Sequence, residues 1–167
     1  PMPEWARGCV GYQIFPDRFY RGENWQFKQP LPRKGSRRFT LPEWDTGVFY
    51  PKDELGAVSA WPFWGGTLRG IEEKLPYLKS LGVGCLYLNP IFESCSNHRY
   101  NTSNYHRTDP ILGSEEEFAQ LAAAAREQGI RIILDGVFSH TGDDSIYFNK
   151  QGRYHEKGAC QGTDSPY

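Results

Sequence analysis

The residues best placed to do chemistry stand in segment 130–140, where an apolar run ends in a carboxylate and a histidine follows five positions later. The carboxylate is Asp135 and the histidine is His140. Continuous runs of branched apolar residues are typical of strands buried on both faces in parallel α/β sheets. Because polar residues at the carboxyl ends of such strands line the active sites of parallel β/α barrels, we expect both side chains to face a cleft.

Two other interpretations of this segment remain open. In the first, a polar turn follows the strand, and Asp135 and His140 only form local hydrogen bonds. In the second, the chain is an unrelated βαβ domain, a hydrolase in which Asp135, His140 and Asp143 bind a metal ion. That metal site requires three ligands to converge across the irregular turn at residues 141–142.

The elements that position these residues follow from the pattern of apolar positions. Segments 9–15, 83–88 and 130–135 are short apolar runs and are predicted to be strands. Segments 67–80 and 114–129 have apolar residues at helical spacing and are predicted to be helices. The order strand, helix, strand, helix, strand indicates a βαβαβ unit with a parallel sheet.

Local signals mark the ends of both helices. We predict Thr67 as the N-cap of the first helix and Gly82 as its stop, although Pro76 conflicts with a continuous helix there. Ser114 and Glu117 have the spacing of a capping box at the start of the second helix.

Two long segments without sustained periodicity, residues 16–66 and 89–113, follow the first two strands, and residues beyond Gly142 are polar and irregular. Both long segments and residues 135–140 leave the carboxyl ends of parallel strands, so we expect them to share one face. Aromatic residues are frequent in segment 16–66, and they either pack on one another or line a sugar groove. They are Trp25, Trp44, Phe49, Tyr50, Trp61, Phe63 and Trp64.

The 167 residues fit one domain and are too few for a whole eight-fold β/α barrel, which typically needs about 250 residues.

The net charge of −1 gives no reason to expect nucleic acid or an anionic membrane as a partner. The locally basic patch at residues 33–38 is predicted to be a solvated loop. No apolar run approaches the roughly 18 residues of a membrane span, and we expect a cytoplasmic protein unless a targeting segment precedes Pro1.

The four cysteines, Cys9, Cys85, Cys95 and Cys160, include no CxxC pair and no spacing typical of a metal site. We expect no essential disulfide. Cys9 and Cys85 lie in apolar runs, where a buried free thiol is the ordinary outcome.

Four segments, in chain order, resemble motifs of one enzyme superfamily. They are Tyr-Gln-Ile-Phe-Pro-Asp-Arg-Phe at 12–19, Gly-Gly-Thr-Leu-Arg-Gly-Ile with Lys-Leu-Pro-Tyr-Leu at 65–78, Tyr-Leu-Asn-Pro-Ile-Phe-Glu-Ser with Ser-Asn-His-Arg-Tyr-Asn and Tyr105 at 87–105, and Asp-Gly-Val-Phe-Ser-His at 135–140. Together they resemble the α-amylase superfamily, glycoside hydrolase family 13, in its neopullulanase or cyclomaltodextrinase branch.

The resemblance implies an α/β fold in the form of a partial TIM barrel. Residues 1–140 would be the N-terminal part of the (β/α)8 catalytic domain, with its first three strands, and residues 141–167 the start of an inserted excursion domain. It also implies retaining hydrolysis of α-1,4 or α-1,6 glucosidic bonds. The expected partner is an α-glucan oligosaccharide or a cyclodextrin.

The resemblance also implies roles for single residues. Tyr100 would stack under the sugar at the cleavage subsite, and His140 would form a hydrogen bond with a hydroxyl of that sugar. Asp135 would maintain the architecture of the site by pairing with an arginine on the fourth strand. Asn101 would contact the same sugar, although relatives often have aspartate at this position.

Calcium is the one cofactor that the resemblance raises, and the sequence supports it weakly. Ser139 stands where a calcium-binding asparagine is common, which puts a calcium site there in doubt. Asp17, Glu23 and Asn24 could provide oxygen ligands, but a solvated acidic turn is the favoured interpretation.

The nucleophile, the general acid/base and the assisting aspartate of the family would lie on strands four, five and seven, beyond residue 167. We therefore expect this chain alone not to hydrolyse glycosides. The alternative is a non-catalytic carbohydrate-binding or scaffold member of the same superfamily. Because the third strand would expose an unpaired edge, we also expect a possible homo-oligomer.

Overall fold

A computed structural model describes residues 2–167 and contains three α-helices and seven strands over that range, besides three short 3-10 helices at Glu4–Ala6, Pro16–Arg18 and Ala159–Gln161. In chain order they are β1 (Val10–Ile14), β2 (Arg37–Thr40), β3 (Ala60–Phe63), α1 (Leu68–Glu73), α2 (Leu75–Ser80), β4 (Val83–Leu88), β5 (Phe92–Ser94), β6 (Thr102–Thr108), α3 (Glu115–Glu127) and β7 (Arg131–Leu134). The range has no helix of the length and hydropathy that crossing a membrane requires.

The centre of the fold is a parallel sheet in the order β1-β4-β7, which confirms the predicted βαβαβ unit. Residues Gln13, Tyr87 and Ile133 are in register across it. The alternate positions of the strands pack against the helices and form the apolar core, because successive side chains of a strand point to opposite faces. Its fully buried members include Ile14, Leu68, Ile71, Leu75, Leu78, Leu86, Leu88 and Leu121.

The single helix predicted over 67–80 is wrong, because the structure divides it into α1 and α2 at Lys74. Pro76 occupies the first turn of α2, where its missing N–H costs nothing, whereas in a continuous helix it would remove a hydrogen bond. The predicted N-cap is confirmed, since the Thr67 side chain accepts from Gly70 N at 2.9 Å.

The predicted start and end of α3 are confirmed. Ser114 Oγ accepts from Glu117 N at 3.2 Å and the Glu117 carboxylate accepts from Ser114 N at 2.9 Å, which completes the capping box. Gly129 has φ +72°, the left-handed conformation that ends many helices.

Segments 16–66 and 89–113 contain more regular structure than the sequence predicts. In the first, β2 and β3 form a parallel pair in which Arg38 lies opposite Trp61. In the second, β5 and β6 form an irregular antiparallel pair. β2, β3 and β5 have only three or four residues, too few to show a period, and the seven residues of β6 are mostly polar. Pairing with a neighbouring strand stabilises all four.

The prediction of a solvated loop at residues 33–38 is wrong for two of its arginines. Arg33 is buried, and its guanidinium contacts Glu93 and Asp144 at 2.6 Å each and Ser103 Oγ at 2.6 Å. Arg38 donates to the backbone carbonyls of Leu31, Ser94 and Cys95 at 2.9–3.2 Å. Most of these partners are 56 or more residues away in the chain, so the local sequence of the patch does not reveal them.

The two outer strands, β1 and β7, have one unpaired edge each within residues 2–167. Val10 on β1 and Ile133 on β7 are 53% and 40% exposed, and Phe138 just beyond β7 is 82% exposed.

All four cysteines are free, with Cys85 buried as expected and Cys9 only half-buried.

Candidate functional site

The carboxyl ends of the three central strands bring polar side chains to one edge of the sheet, as the topology predicts. Gln13 Nε2 donates to Asn89 Oδ1 at 2.7 Å, which joins the end of β1 to the end of β4. The Asp135 backbone N–H donates to Leu88 O at 3.0 Å. Asp135 therefore continues the β4–β7 hydrogen-bond ladder by one residue, and its side chain lies at the carboxyl end of β7.

The Asp135 carboxylate accepts a hydrogen bond from the Tyr100 hydroxyl, with 2.8 Å between Oδ2 and the phenol oxygen. Burial and the neighbouring Asp135 raise the pKa of Tyr100 to about 12. The pKa of Tyr87 on β4 is raised by the same two causes. The Tyr100 phenol is therefore neutral and donates to the carboxylate at physiological pH.

His140 also contacts the loop that contains Tyr100. Its Nε2 lies 3.0 Å from Tyr100 O, and its Nδ1 lies 3.1 Å from Ser139 Oγ. A carbonyl oxygen only accepts, so the proton of a neutral imidazole is on Nε2. Tyr100, Asp135 and His140, from two separate loops, thus lie in one connected group, while their roles towards a sugar stay predictions.

A buried, left-handed residue precedes Tyr100. Arg99 has φ +63° and no exposed side-chain surface, and its guanidinium donates to Asp109 Oδ2 at 2.9 Å and to Asn97 O at 2.7 Å. A non-glycine residue in this conformation costs of order 1–2 kcal/mol, which the surrounding contacts must offset. The turn therefore fixes the direction in which the Tyr100 ring leaves the loop.

Asn101, the fourth predicted site residue, is not joined to this group through its side chain. Its Oδ1 accepts from Ser94 Oγ at 2.8 Å and from Ser96 Oγ, and its Nδ2 faces Cys95 Sγ at 2.8 Å. These partners belong to the loop itself. A contact between Asn101 and a sugar stays a prediction.

Tyr105 is a residue whose role the sequence did not reveal, although it lies in one of the motifs. Its hydroxyl donates to the backbone carbonyl oxygens of Val137 and His140, the second at 2.9 Å. The ring packs against Phe138 and Tyr147, with centroids 5.6 and 6.0 Å away. Tyr105 on β6 therefore positions the loop on which His140 lies.

His98 is a second such residue. Its Nδ1 accepts from Tyr100 N at 3.1 Å, and its ring stacks on the Tyr100 ring with centroids 5.9 Å apart. Burial lowers the pKa of His98, and the charges of Arg99 and Arg18 lower it further. Because Nδ1 accepts from a backbone N–H, the neutral ring has its proton on Nε2.

The aromatic residues of segment 16–66 fall into two groups, and the lining of a sugar groove by any of them stays a prediction. One group packs on arginines inside the segment, where the Arg18 guanidinium lies 4.3 Å from the Trp64 ring and the Arg21 guanidinium 3.9 Å from the Trp25 ring. The other group reaches the site, because the Trp61 ring centroid lies 5.0 Å from that of His98.

Two sequence-based metal interpretations do not fit the structure. Asp17 is fully buried rather than in a solvated turn, its carboxylate accepts from Trp64 N and Gly65 N at 3.0 and 3.2 Å, and burial raises its pKa. Within residues 2–167 no three His, Cys, Asp or Glu side chains form a group that could bind a metal ion. The alternative with Asp135, His140 and Asp143 as metal ligands is therefore wrong.

Comparison with protein families gives a match to the α-amylase catalytic domain over residues 13–164. The chain is 44% identical to an amylopullulanase of Thermoanaerobacterium saccharolyticum over 95% of its own length and 13% of that protein. It is 40% identical to neopullulanase 2 of Thermoactinomyces vulgaris over 91% of its length and 24% of that protein.

Solved structures give the same result. A cyclic α-maltosyl-(1→6)-maltose hydrolase of Arthrobacter globiformis, in complex with its named sugar, matches with a TM-score of 0.68 and 37% identity over 87% of this chain and 28% of that one. The type III pullulan hydrolase of Thermococcus kodakarensis matches with a TM-score of 0.69 and 34% identity over 89% and 26%. The chain thus spans less than a third of each relative named here.

Proposed function

The chain belongs to the α-amylase catalytic-domain family, and we propose that its sheet edge forms part of the substrate-binding site of an α-glucan hydrolase. The observation that supports this most directly is the contact of Tyr100 with both Asp135 and His140. These side chains come from loops about 35 residues apart, which the parallel sheet brings to one edge.

In this proposal each of the three residues has a distinct part in binding. The neutral Tyr100 ring offers an apolar face to the C–H face of a glucosyl unit. The exposed His140 forms a hydrogen bond with a hydroxyl of the same unit. Asp135 orients the Tyr100 ring through the 2.8 Å hydrogen bond, which is a charge-assisted bond and therefore among the stronger ones.

The ligand in this proposal is an α-1,4-linked glucan, with or without α-1,6 branches. The names of the relatives support this choice, since they include amylopullulanases, a neopullulanase and a cyclomaltodextrinase. A solved relative was crystallised with maltose and with a cyclic maltosyl sugar. Linear maltooligosaccharides and cyclodextrins are therefore the ligands to test.

We further propose that the 167-residue chain binds but does not cleave. Retaining hydrolysis needs two carboxyl groups about 5–5.5 Å apart that flank the scissile bond. In the described residues Asp135 is the carboxylate of the Tyr100 group, and buried carboxylates elsewhere already have partners. Those are Asp17, Asp109 and Asp144.

The test is a titration of the 167-residue chain with maltohexaose and with β-cyclodextrin, monitored by two-dimensional NMR. A separate assay measures the reducing ends that hydrolysis would release. We expect saturable shifts at residues 98–105 and 135–140 and no reducing ends. Tyr100→Ala should remove the shifts, while the control Tyr77→Ala, an exposed ring on α2, should keep them. Release of reducing ends would overturn the proposal of inactivity, and the absence of any saturable shift would overturn the binding role.

A self-association proposal follows from the unpaired edges of β1 and β7. Exposed edges present free N–H and C=O groups that pair readily with another chain. We propose that two copies associate through these edges. Sedimentation velocity from low to high concentration should show a dimer at the upper end, and a monomer throughout would contradict it.

A further inference from the structure

We infer that Trp61 contacts a second glucosyl unit, adjacent to the unit on Tyr100, so that the site prefers short α-glucan chains to single glucose units. The inference rests on the proposed function, because it needs a sugar on Tyr100. It concerns one of the aromatic residues of segment 16–66, and it decides which of them contacts the ligand.

The first observation is a continuous row of rings that ends at Tyr100. The ring centroids of Tyr50 and Trp61 lie 5.9 Å apart, those of Trp61 and His98 5.0 Å, and those of His98 and Tyr100 5.9 Å. Arg18 donates to the Tyr50 hydroxyl at 2.6 Å and fixes the far end of the row. Trp61 is therefore separated from Tyr100 by one ring.

The second observation is that the backbone of Trp61 is fixed relative to the Tyr100 loop. Trp61 lies in β3, and Asn97 Nδ2 donates to the carbonyl of the next residue, Pro62, at 2.8 Å. Arg38, opposite Trp61 on β2, donates to the carbonyls of Ser94 and Cys95. Two independent contacts thus join the β2–β3 pair to the loop, which is the preorganisation that a ligand contact requires.

The third observation is that the Trp61 indole is available, in contrast to its neighbour Trp64. Trp64 is 3% exposed, and its Nε1 donates to Thr46 O at 2.9 Å. Trp61 is partly exposed, and its Nε1–H has no acceptor in the described part of the chain and is not buried. An apolar ring with a free N–H donor suits a sugar, which presents both C–H faces and hydroxyl oxygens.

The chemistry of His98 is consistent with a spacer between two sugar contacts. Burial and nearby arginines lower its pKa, so the ring is neutral and does not place a third positive charge beside Arg18 and Arg99. An uncharged, aromatic surface therefore extends from Tyr100 to Trp61. A glucan is itself uncharged and cannot pair with a buried charge, so covering an uncharged surface costs less desolvation of the protein than covering a charged one.

The test compares the affinities of the 167-residue chain for methyl α-D-glucoside and for maltotriose, both by NMR titration. We expect Trp61→Ala to weaken maltotriose binding roughly fivefold and to change methyl α-D-glucoside binding less than about twofold. Tyr100→Ala should weaken both ligands. Trp61→Phe, which keeps an aromatic ring, should lie between Trp61→Ala and the unmodified chain for maltotriose.

Trp5→Ala is the matched control, because Trp5 lies with Gly8 and Gly82 near the amino ends of the strands, at the opposite edge of the sheet. It should leave both affinities unchanged. Equal effects of Trp61→Ala on both ligands, or no effect on either while Tyr100→Ala weakens both, would overturn the inference alone. Failure of the unmodified chain to bind either ligand would overturn the proposed function and the inference together. Amide spectra of each variant separate loss of folding from loss of binding.

Discussion

The helices and the loops of this fold are stabilised by different kinds of contact. The helix layer, formed by α1, α2, α3 and the strand positions that face them, buries almost only aliphatic side chains. The loop layer, formed by residues 16–66, 89–113 and 135–167, buries charged side chains in addition to apolar ones. The charged ones are Asp17, Arg33, Arg99, Asp109 and Asp144.

This difference matters for function, because the proposed ligand contacts all lie in the loop layer. Apolar burial is roughly proportional to area and has no preferred direction. Charged hydrogen bonds have defined lengths and angles, so they orient the groups that they join. A layer that must point single rings at a ligand therefore gains from directional contacts, whereas the helix layer only has to cover the sheet.

The largest effect is expected at the buried ion pair of the loop layer. Asp109→Asn removes the charge that pairs with Arg99, and both side chains are essentially unexposed. An unpaired buried guanidinium should lower the free energy of unfolding by about 3–5 kcal/mol, measured by urea denaturation. Asp143→Asn, an exposed carboxylate 3.4 Å from Lys150, should change it by less than about 0.5 kcal/mol. Similar small effects of both substitutions would contradict the directional account of the loop layer.

A slightly smaller loss is expected from the helix layer. Leu78→Ala on α2 removes a fully buried side chain and should lower the free energy of unfolding by about 3 kcal/mol, through lost transfer energy and a cavity. The same urea experiment measures it. Leu81→Ala, which is half-exposed, should cost no more than about 1 kcal/mol. Amide signals of residues 98–105 should stay in place for Leu78→Ala and shift for Asp109→Asn, and the opposite pattern would contradict the comparison.

A local change within the loop layer is expected from Tyr105→Phe. The substitution removes the hydroxyl that contacts Val137 O and His140 O and should cost about 1 kcal/mol of stability. The imidazole signals of His140 should shift, and binding of maltotriose should weaken although Tyr105 is not placed against the ligand. Tyr77→Phe is the control. Unchanged His140 signals in the variant would show that the hydroxyl does not position the loop.

The smallest effect is expected from pH. Burial places the folded-state pKa of His98 below the ordinary 6.5, so between these two values the unfolded chain binds a proton that the folded chain does not. The free energy of unfolding should therefore fall as pH drops through about 6.5 and level off below the folded-state pKa. Thermal unfolding from about pH 7 to about pH 5 measures this, and His98→Gln should reduce the slope. An equal reduction by His106→Gln, an exposed histidine, would refute the assignment to His98.

The sequence predicts those parts of the structure that depend on neighbouring residues. The three central strands, the capping box of Ser114 and Glu117, and the end of α3 at Gly129 are all confirmed, since each depends on residues close in the chain. The convergence of Tyr100, Asp135 and His140 is also confirmed, because parallel topology leaves the carboxyl ends of the strands on one edge.

The sequence does not reveal contacts whose partners are distant in the chain. The sequence predicts that Arg33 is a solvated cation, because its partners Glu93 and Asp144 are 60 and 111 residues away in the chain. Asp17 reads as part of a solvated turn, but its partners are backbone amides of Trp64 and Gly65, which have no residue-specific signal. The role of Tyr105 depends in the same way on backbone carbonyls of another loop.

The left-handed turn at Arg99 has a consequence for engineering ligand preference. The orientation of the Tyr100 ring depends on the left-handed turn at Arg99 and on the buried Arg99–Asp109 ion pair. Effects of a Tyr100 substitution on folding would therefore be hard to separate from its effects on ligand binding. Trp61 lies on a short strand with its indole partly in solvent, and its replacement disturbs no charged contact. To change the preference of the site for a given glucan length, we therefore expect a library that varies position 61 and leaves residues 97–101 unchanged to be the most direct approach.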